Sequence, residues 1–192
     1  IIGSGVLGAY LSVELLRKKE KIIVTSRSLK KDFKNYKYLK IKNKVSFEKL
    51  DTSKKSQISK ILKKYNPNKV FFFSGISSIT KSIKYKKQTL ISHYNGSKNF
   101  LEIIKKNNLN INFFKANSGY IFSPRKGLID LNCKFSLNKN PYIQAQQKVF
   151  KLIKQYRKLG VNSSSLVFMQ IESPLRSDDF FIKKICLGAK KK

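Results

Sequence analysis

The sequence predicts a doubly wound α/β domain built on a parallel sheet, and three observations lead there. Short β-rich apolar runs alternate with longer stretches of helical periodicity, the pattern of parallel strands joined by crossover helices. One of these runs, Val70-Phe71-Phe72-Phe73, is apolar at every position, as strands covered on both faces are. A glycine-rich turn, Gly3-Ser4-Gly5-Val6-Leu7-Gly8, follows a strand end and opens the first helix.

The elements can be followed in order. Ile1-Ile2 closes a first strand, whose beginning, with the initiator Met, is expected upstream of the sequence. A helix over 8–19 places Leu11, Leu15 and Leu16 on one face. A second strand runs over 21–25, and the span 38–47 holds a third. The next helix, 53–65, turns Ile58, Ile61 and Leu62 inward and stops before Pro67, because the residue before a proline is disfavoured in helix. After the strand at 70–73, the span 82–107 is long enough for one helix, with Phe100, Leu101, Ile103 and Ile104 packing near its end. A fifth strand at 111–116, a helix at 142–159, a sixth strand at 161–169 and a last helix at 178–187 follow, ahead of Lys190-Lys191-Lys192. The longest irregular segment, 122–140, would emerge beyond the carboxyl ends of the strands. Open parallel sheets bind ligands there, and loops of that length are commonly functional.

A chain of 192 residues with 41% hydrophobic content suffices for one substantial core and is short for two. The expectation is therefore a single domain over 1–192. No apolar run approaches the roughly 20 residues of a membrane span, so no membrane partner is expected. Cys133 and Cys186 lie far apart and His93 is the only histidine, which leaves no plausible metal ligand set and fits a reducing cytoplasm. The formal net charge of +32 comes mostly from lysine spread over nearly every helix and loop. That distribution favours a solvated surface over a specific nucleic-acid site, with nonspecific attraction to polyanions at low salt.

Gly3, Gly5 and Gly8, with Val6 and Leu7 between them, form a G-x-G-x-x-G motif. Glycines there allow a tight turn and let backbone amides and a helix N-terminus approach a pyrophosphate. Where an acidic residue would hold the ribose of NAD, the second strand ends in Ser26-Arg27-Ser28. An arginine flanked by hydroxyls suits a 2′-phosphate, so NADP is favoured over NAD. Asp51 either accepts from an adenine amino group or caps the helix that follows it. Ser118 ends a predicted strand and Tyr142 opens a predicted helix, each at a position suited to reacting groups.

These residues resemble the extended short-chain dehydrogenase/reductases (the NAD-dependent epimerase/dehydratases), and among them the GDP-mannose 4,6-dehydratases. The likeness rests on Gly5, Gly8, Tyr10-Leu11, Arg27-Ser28, Asp51 with Ser56-Gln57-Ile58, and Asn66-Pro67. It continues through Phe73-Ser74-Gly75-Ile76-Ser77, Asn95-Gly96, the 116–122 block and Pro141-Tyr142. Its most specific block is Glu172-Ser173-Pro174-Leu175-Arg176. The resemblance implies a Rossmann-type NAD(P)-binding domain, with Thr52, Phe73, Ser74, Gly75, Ser77, Gln88 and Arg176 along the coenzyme. It also implies a nucleotide-sugar substrate, GDP-mannose, and a homo-oligomer.

In such an enzyme Tyr142 would take the proton of the sugar O4 while hydride leaves C4, and Ser118 would hydrogen-bond the same oxygen. A glutamate would remove the C5 proton; its position holds Tyr120 here. The lysine of the family's Tyr-x-x-x-Lys pair, whose charge lowers the phenol pKa and whose ammonium binds ribose, is replaced by Gln146. Lys148, the nearest cation in sequence, points away from the Tyr142 face at about 100° per residue. The family's histidine before the Glu-Ser-Pro block is Ile171 here. The family also continues beyond Arg176 into a region that grips the nucleotide sugar, so the sequence is expected to be truncated at both ends. The altered positions leave a second reading open: a catalytically impaired NADP-binding homologue that regulates or assembles with an intact dehydratase.

Overall fold

The computed structural model describes residues 1–30, 32–130 and 132–190. Five strands, β1 (Ile23–Ser26), β2 (Ser46–Lys49), β3 (Lys69–Phe72), β4 (Asn112–Ser118) and β5 (Ser163–Phe168), pair in parallel: β1 with β2, β3 with β4, and β4 with β5. Ile2 joins the two groups, bridging Thr25 on one side and Phe72 on the other. Its N–H donates to the Phe71 carbonyl at 2.8 Å, and its own carbonyl accepts from Phe73 N–H at 2.8 Å. The spatial order is therefore β2-β1-Ile2-β3-β4-β5. From Ile2 the chain first builds outward to β1 and β2, then crosses back to start β3 on the other side. That reversal opens a crevice at the carboxyl ends of Ile2 and β3, where doubly wound sheets hold their ligands.

Helices α1 (Val6–Arg17) and α2 (Lys34–Tyr38) cover one core, made of Ala9, Ile22, Val24, Phe33, Tyr36 and Ile41. Helices α3 (Lys55–Tyr65), α6 (Gly96–Lys106) and α7 (Pro141–Lys158) cover the larger one. There Phe72 meets Phe100 edge to face at 5.7 Å between centroids, and Phe113 lies beside both. Ile58 and Leu62 of α3, and Phe100, Leu101, Ile103 and Ile104 of α6, are buried as their periodicity predicts, with Ile61 packed at the edge.

Four details depart from the sequence expectation. The face of α1 that reaches full burial is Gly8, Ala9 and Ser12, while Leu11, Leu15 and Leu16 are only half-buried; small residues let this helix approach the sheet closely. The third strand occupies only the end of its span and runs to Lys49, because α2 continues through Tyr38 and a 3₁₀ turn follows at Lys42–Lys44. Tyr36 and Ile41, turned into the core, hold that segment out of strand geometry.

The single long helix expected over 82–107 is broken. It starts early, as α4 (Ile79–Lys84) capped by Ser78, whose side chain accepts from Lys81 N–H. Tyr85 leaves helical geometry at φ −115°, ψ 47°, then α5 (Lys86–Leu90) leads into a π turn over Ile91–Asn95 before α6. The extra residue of a π turn shifts side-chain phase, and here His93 is turned fully inward. The last helix, α8, begins at Phe181 and runs to Ala189, later than expected. Of the basic tail, Lys191 and Lys192 lie outside the described residues. Among the described residues no helix is long and apolar enough to cross a membrane.

Within the 122–140 segment, Phe122 and the stretch at Phe135-Ser136 are packed against α7, while Leu128 and Leu137 are exposed. Phe122 and Phe135 stack at 5.7 Å, and both meet Phe150 of α7 edge-on. Gln147 of α7 donates to the carbonyls of Ile121 at 3.1 Å and Ser136 at 2.7 Å. These contacts fix the start of α7, and with it Tyr142.

Candidate functional site

The glycine turn is shaped by its neighbours. Gly3 has φ +108°, and a Cβ there would lie 2.9 Å from the Ser74 backbone nitrogen. A Cβ on Gly8 would lie 2.4 Å from the Gly3 carbonyl oxygen. Gly5, the N-cap of α1, has no protein atom within 4 Å of the corresponding point. The turn is thus tight against the sheet at two glycines and open at the third. No side chain caps α1 and no acidic residue sits in its first turn, so its leading N–H groups face that opening free to receive an anion.

Beyond this turn a cavity of about 570 Å³ lies at the carboxyl ends of β3, β4 and β5. Of the residues singled out from sequence, Val6, Leu7, Phe73, Gly75, Ser77, Ser118, Tyr120, Tyr142, Gln146 and Arg176 all line it. Ser118 is the last residue of β4, and its Oγ accepts from Tyr120 N–H at 3.3 Å. Tyr120 itself stands at the lip, 56% exposed. Tyr142 is held at the first turn of α7, where Asn140 caps the helix by accepting from Tyr142 N–H at 2.9 Å and Pro141 sets the entry angle. One turn on, Gln146 is buried, and its backbone carbonyl accepts from Asn117 Nδ2 at 3.2 Å. Lys148 is exposed.

Arg176 lines the cavity from the β5–α8 connection. Its Nε donates to the Ile171 carbonyl at 3.2 Å and its guanidinium lies over the Phe180 ring. The remaining candidates lie elsewhere. Arg27 is exposed just after β1, and its charge helps hold the Asp51 carboxyl below the usual range, although hydrogen bonds from Ser53 are the larger cause. Asp51 Oδ1 accepts from both the Ser53 amide and hydroxyl. Thr52 is buried against Gly96, and its carbonyl accepts from Asn99. Ser74 packs on Gly3, and Gln88 is exposed on α5, away from the cavity.

The cavity also holds groups that motif reading did not single out. His93 sits beneath Gly75, its Nε2 donating to the Ile76 carbonyl at 3.0 Å. Burial, reinforced by the nearby Lys115 charge, pushes its pKa down to about 3, so the ring is neutral at physiological pH. Lys115 is only 1% exposed, and burial pushes its amine down to about 7. One signal in the sequence could have found Lys115. It alternates in phase with Phe113 and Asn117 along a strand whose inward residues should be apolar.

The sequence model of the family described as GDP-mannose 4,6 dehydratase matches residues 3–192. The chain belongs to that family. A search of curated proteins finds no match. Among solved structures, a dTDP-glucose 4,6-dehydratase from Streptomyces venezuelae, solved with NAD bound, superposes with a TM-score of 0.85 at 14% identity over 99% of this chain and 61% of its own. The dTDP-glucose 4,6-dehydratase of Bacillus anthracis gives 0.82 at 17% identity, covering 99% of this chain and 60% of its own. The UDP-glucose 4-epimerase of Thermus thermophilus gives 0.82 at 16%, covering 98% and 60%. At such identities the likeness establishes the fold, a Rossmann-like α/β domain. This family member spans about three-fifths of the length of those solved relatives.

Proposed function

We propose that this chain is the coenzyme-binding portion of an NADP-dependent nucleotide-sugar dehydratase acting on GDP-mannose. The observation that carries the reading is that Ser118 and Tyr142, brought from a strand end and a helix start, line one cavity with the residues of the glycine turn. The fit to a dinucleotide rests on the same turn: two glycines whose Cβ positions are filled by backbone, and a third facing open space before the free N–H groups of α1. Arg27, exposed at the end of β1, favours a coenzyme with a 2′-phosphate. The solved relatives that contain NAD support the coenzyme class.

In the reaction Tyr142 would take the sugar O4 proton, and Ser118 would hold that oxygen within reach of the phenol. The coenzyme, when bound, supplies the hydride acceptor and later the donor. Tyr120 brings no carboxylate to the C5 proton and is exposed at the lip. That single observation favours the second reading, a homologue that binds NADP without turnover and serves an intact dehydratase. Incubation with GDP-mannose and NADP, followed by mass spectrometry for the dehydrated 4-keto product, separates the two. Product that disappears in Tyr142→Phe supports the dehydratase; coenzyme binding with no product supports the noncatalytic homologue; absence of coenzyme binding refutes both.

A further inference from the structure

The Tyr142 site lacks a cation on its own helix, since Gln146 carries none. A cation reaches the same cavity from the sheet. Lys115 stems from the middle of β4, on the strand face shared with Phe113 and Asn117, and lines the cavity together with Tyr142, Gln146, Ser118 and His93. Its Nζ donates to the Ala116 carbonyl and lies 5.3 Å from the centroid of the Phe72 ring. An ammonium has three protons to place, and a carbonyl with one aromatic face is poor compensation for full burial.

Two acceptors on residues that line the same cavity are also unfilled. Gln146 Oε1 and His93 Nδ1 are buried, and among the described residues neither has a hydrogen-bond partner. Because His93 Nε2 is the protonated nitrogen facing Ile76, Nδ1 is the bare one. Two bare buried acceptors and a buried ammonium on residues that line one cavity call for a polar partner that the protein itself does not supply.

We propose that Lys115 is the cation of the Tyr142 site, entering from strand β4 in place of the ammonium that α7 lacks at Gln146, and that it grips the coenzyme's sugar hydroxyls beside the phenol. The inference rests on the dinucleotide reading above. Gln146 keeps a hydrogen-bonding group in the cavity while leaving the charge to the strand. The other titratable or charged groups around the cavity are His93 from the π turn, Tyr120 from the turn after β4, Tyr142 from α7, and Glu172, Arg176, Asp179 and Lys184 from the β5–α8 side. Of these, His93 is neutral, and Arg176 is already held by the Ile171 carbonyl and Phe180. The amine's low pKa, about 7, means that binding which needs the ammonium is strongest below neutrality.

The test is fluorescence titration of NADPH into the 192-residue chain between about pH 6 and 9, the window spanning the titration of a depressed lysine. Lys115→Met keeps the stem volume and removes the charge; melting by circular dichroism verifies its fold. Affinity should fall about tenfold in Lys115→Met at pH 6.5, a change of the size expected for one charge-assisted hydrogen bond. Wild-type affinity should weaken as pH rises through neutrality, and this slope should flatten in the variant. The exchange Lys115→Gln with Gln146→Lys, which returns the ammonium to the helix, should restore the affinity, whereas Gln146→Lys alone should destabilise the fold by crowding two ammonium groups into one buried space. Wild-type binding that is matched by Lys115→Met at every pH would overturn the inference and leave the dinucleotide reading intact. Failure of the wild type to bind NADPH at all would overturn both.

Discussion

The imidazole of His93 stands edge-on to the Tyr142 ring, with 5.7 Å between centroids and 77° between planes. A neutral ring thus buttresses the phenol from the π turn, in the position where a charged one would compete with Lys115. Its pKa is depressed to about 3 from an ordinary 6.5. Between those values the unfolded chain binds the proton and the folded chain does not, so stability present above pH 6.5 drains away as pH falls. His93→Gln, which can still donate to Ile76, should therefore lose less stability between pH 7 and pH 5 than the wild type does, by about 2 kcal/mol in urea unfolding.

Gly75 ties the β3 turn to the same ring. It has φ +141°, and a Cβ on it would fall 2.2 Å from His93 Cε1. Both the backbone conformation and the space exclude a side chain. Gly75→Ala should cost about 1–3 kcal/mol in thermal or urea unfolding, and should weaken NADPH binding more than its stability loss explains, because the displaced ring lies against Tyr142.

Lys115→Met should stabilise the fold at neutral pH. With the folded-state pKa lowered from 10.5 to about 7, the unfolded chain holds the extra proton between those values, so the burial penalty is complete below pH 7 and vanishes above about pH 10.5. The gain in the variant should be roughly 1–4 kcal/mol near pH 7 and shrink steadily as the buffer is made more alkaline. Equal stabilisation at pH 7 and pH 10 would show that the amine is not held at a lowered pKa.

The Asn140 cap aims Tyr142. Asn140 Oδ1 accepts from Tyr142 N–H at 2.9 Å and from Ser82 Oγ at 3.0 Å, linking α7 to α4. Asn140→Ala should lower stability by about 1 kcal/mol, while Asn140→Asp, which keeps the cap, should restore most of it. Unfolding midpoints of the two variants measure the difference.

Most of the α/β plan was legible because it follows from local rules. The helix at 53–65 shows its apolar stripe, the strand at 70–73 its unbroken apolar run, and the turn at 3–8 its glycines. The break in the 82–107 helix was not legible, since no proline or glycine pair marks Tyr85 or Ile91 as a stop. The π turn there forms where His93 can be packed under Gly75 and against Tyr142, contacts made across 18 and 49 residues of chain. Asp51 was open between two roles; its Oδ1 is taken up by Ser53.

By itself the sequence determined the family, the alternation of strands and helices, and the presence of a hydroxyl, a phenol and a glycine turn at spacings suited to a coenzyme fold. It also determined that the residue one turn after Tyr142 is an amide, Gln146, and that position 120 holds a phenol, Tyr120. Only the tertiary structure decided which groups share the cavity. Strand pairing sets the phase of β4 so that Lys115 points inward, and the packing of the π turn buries His93 beside it. Neither follows from composition or periodicity. A side chain's charge is written in the sequence, but its solvation, and so its pKa, depends on residues that only folding brings near.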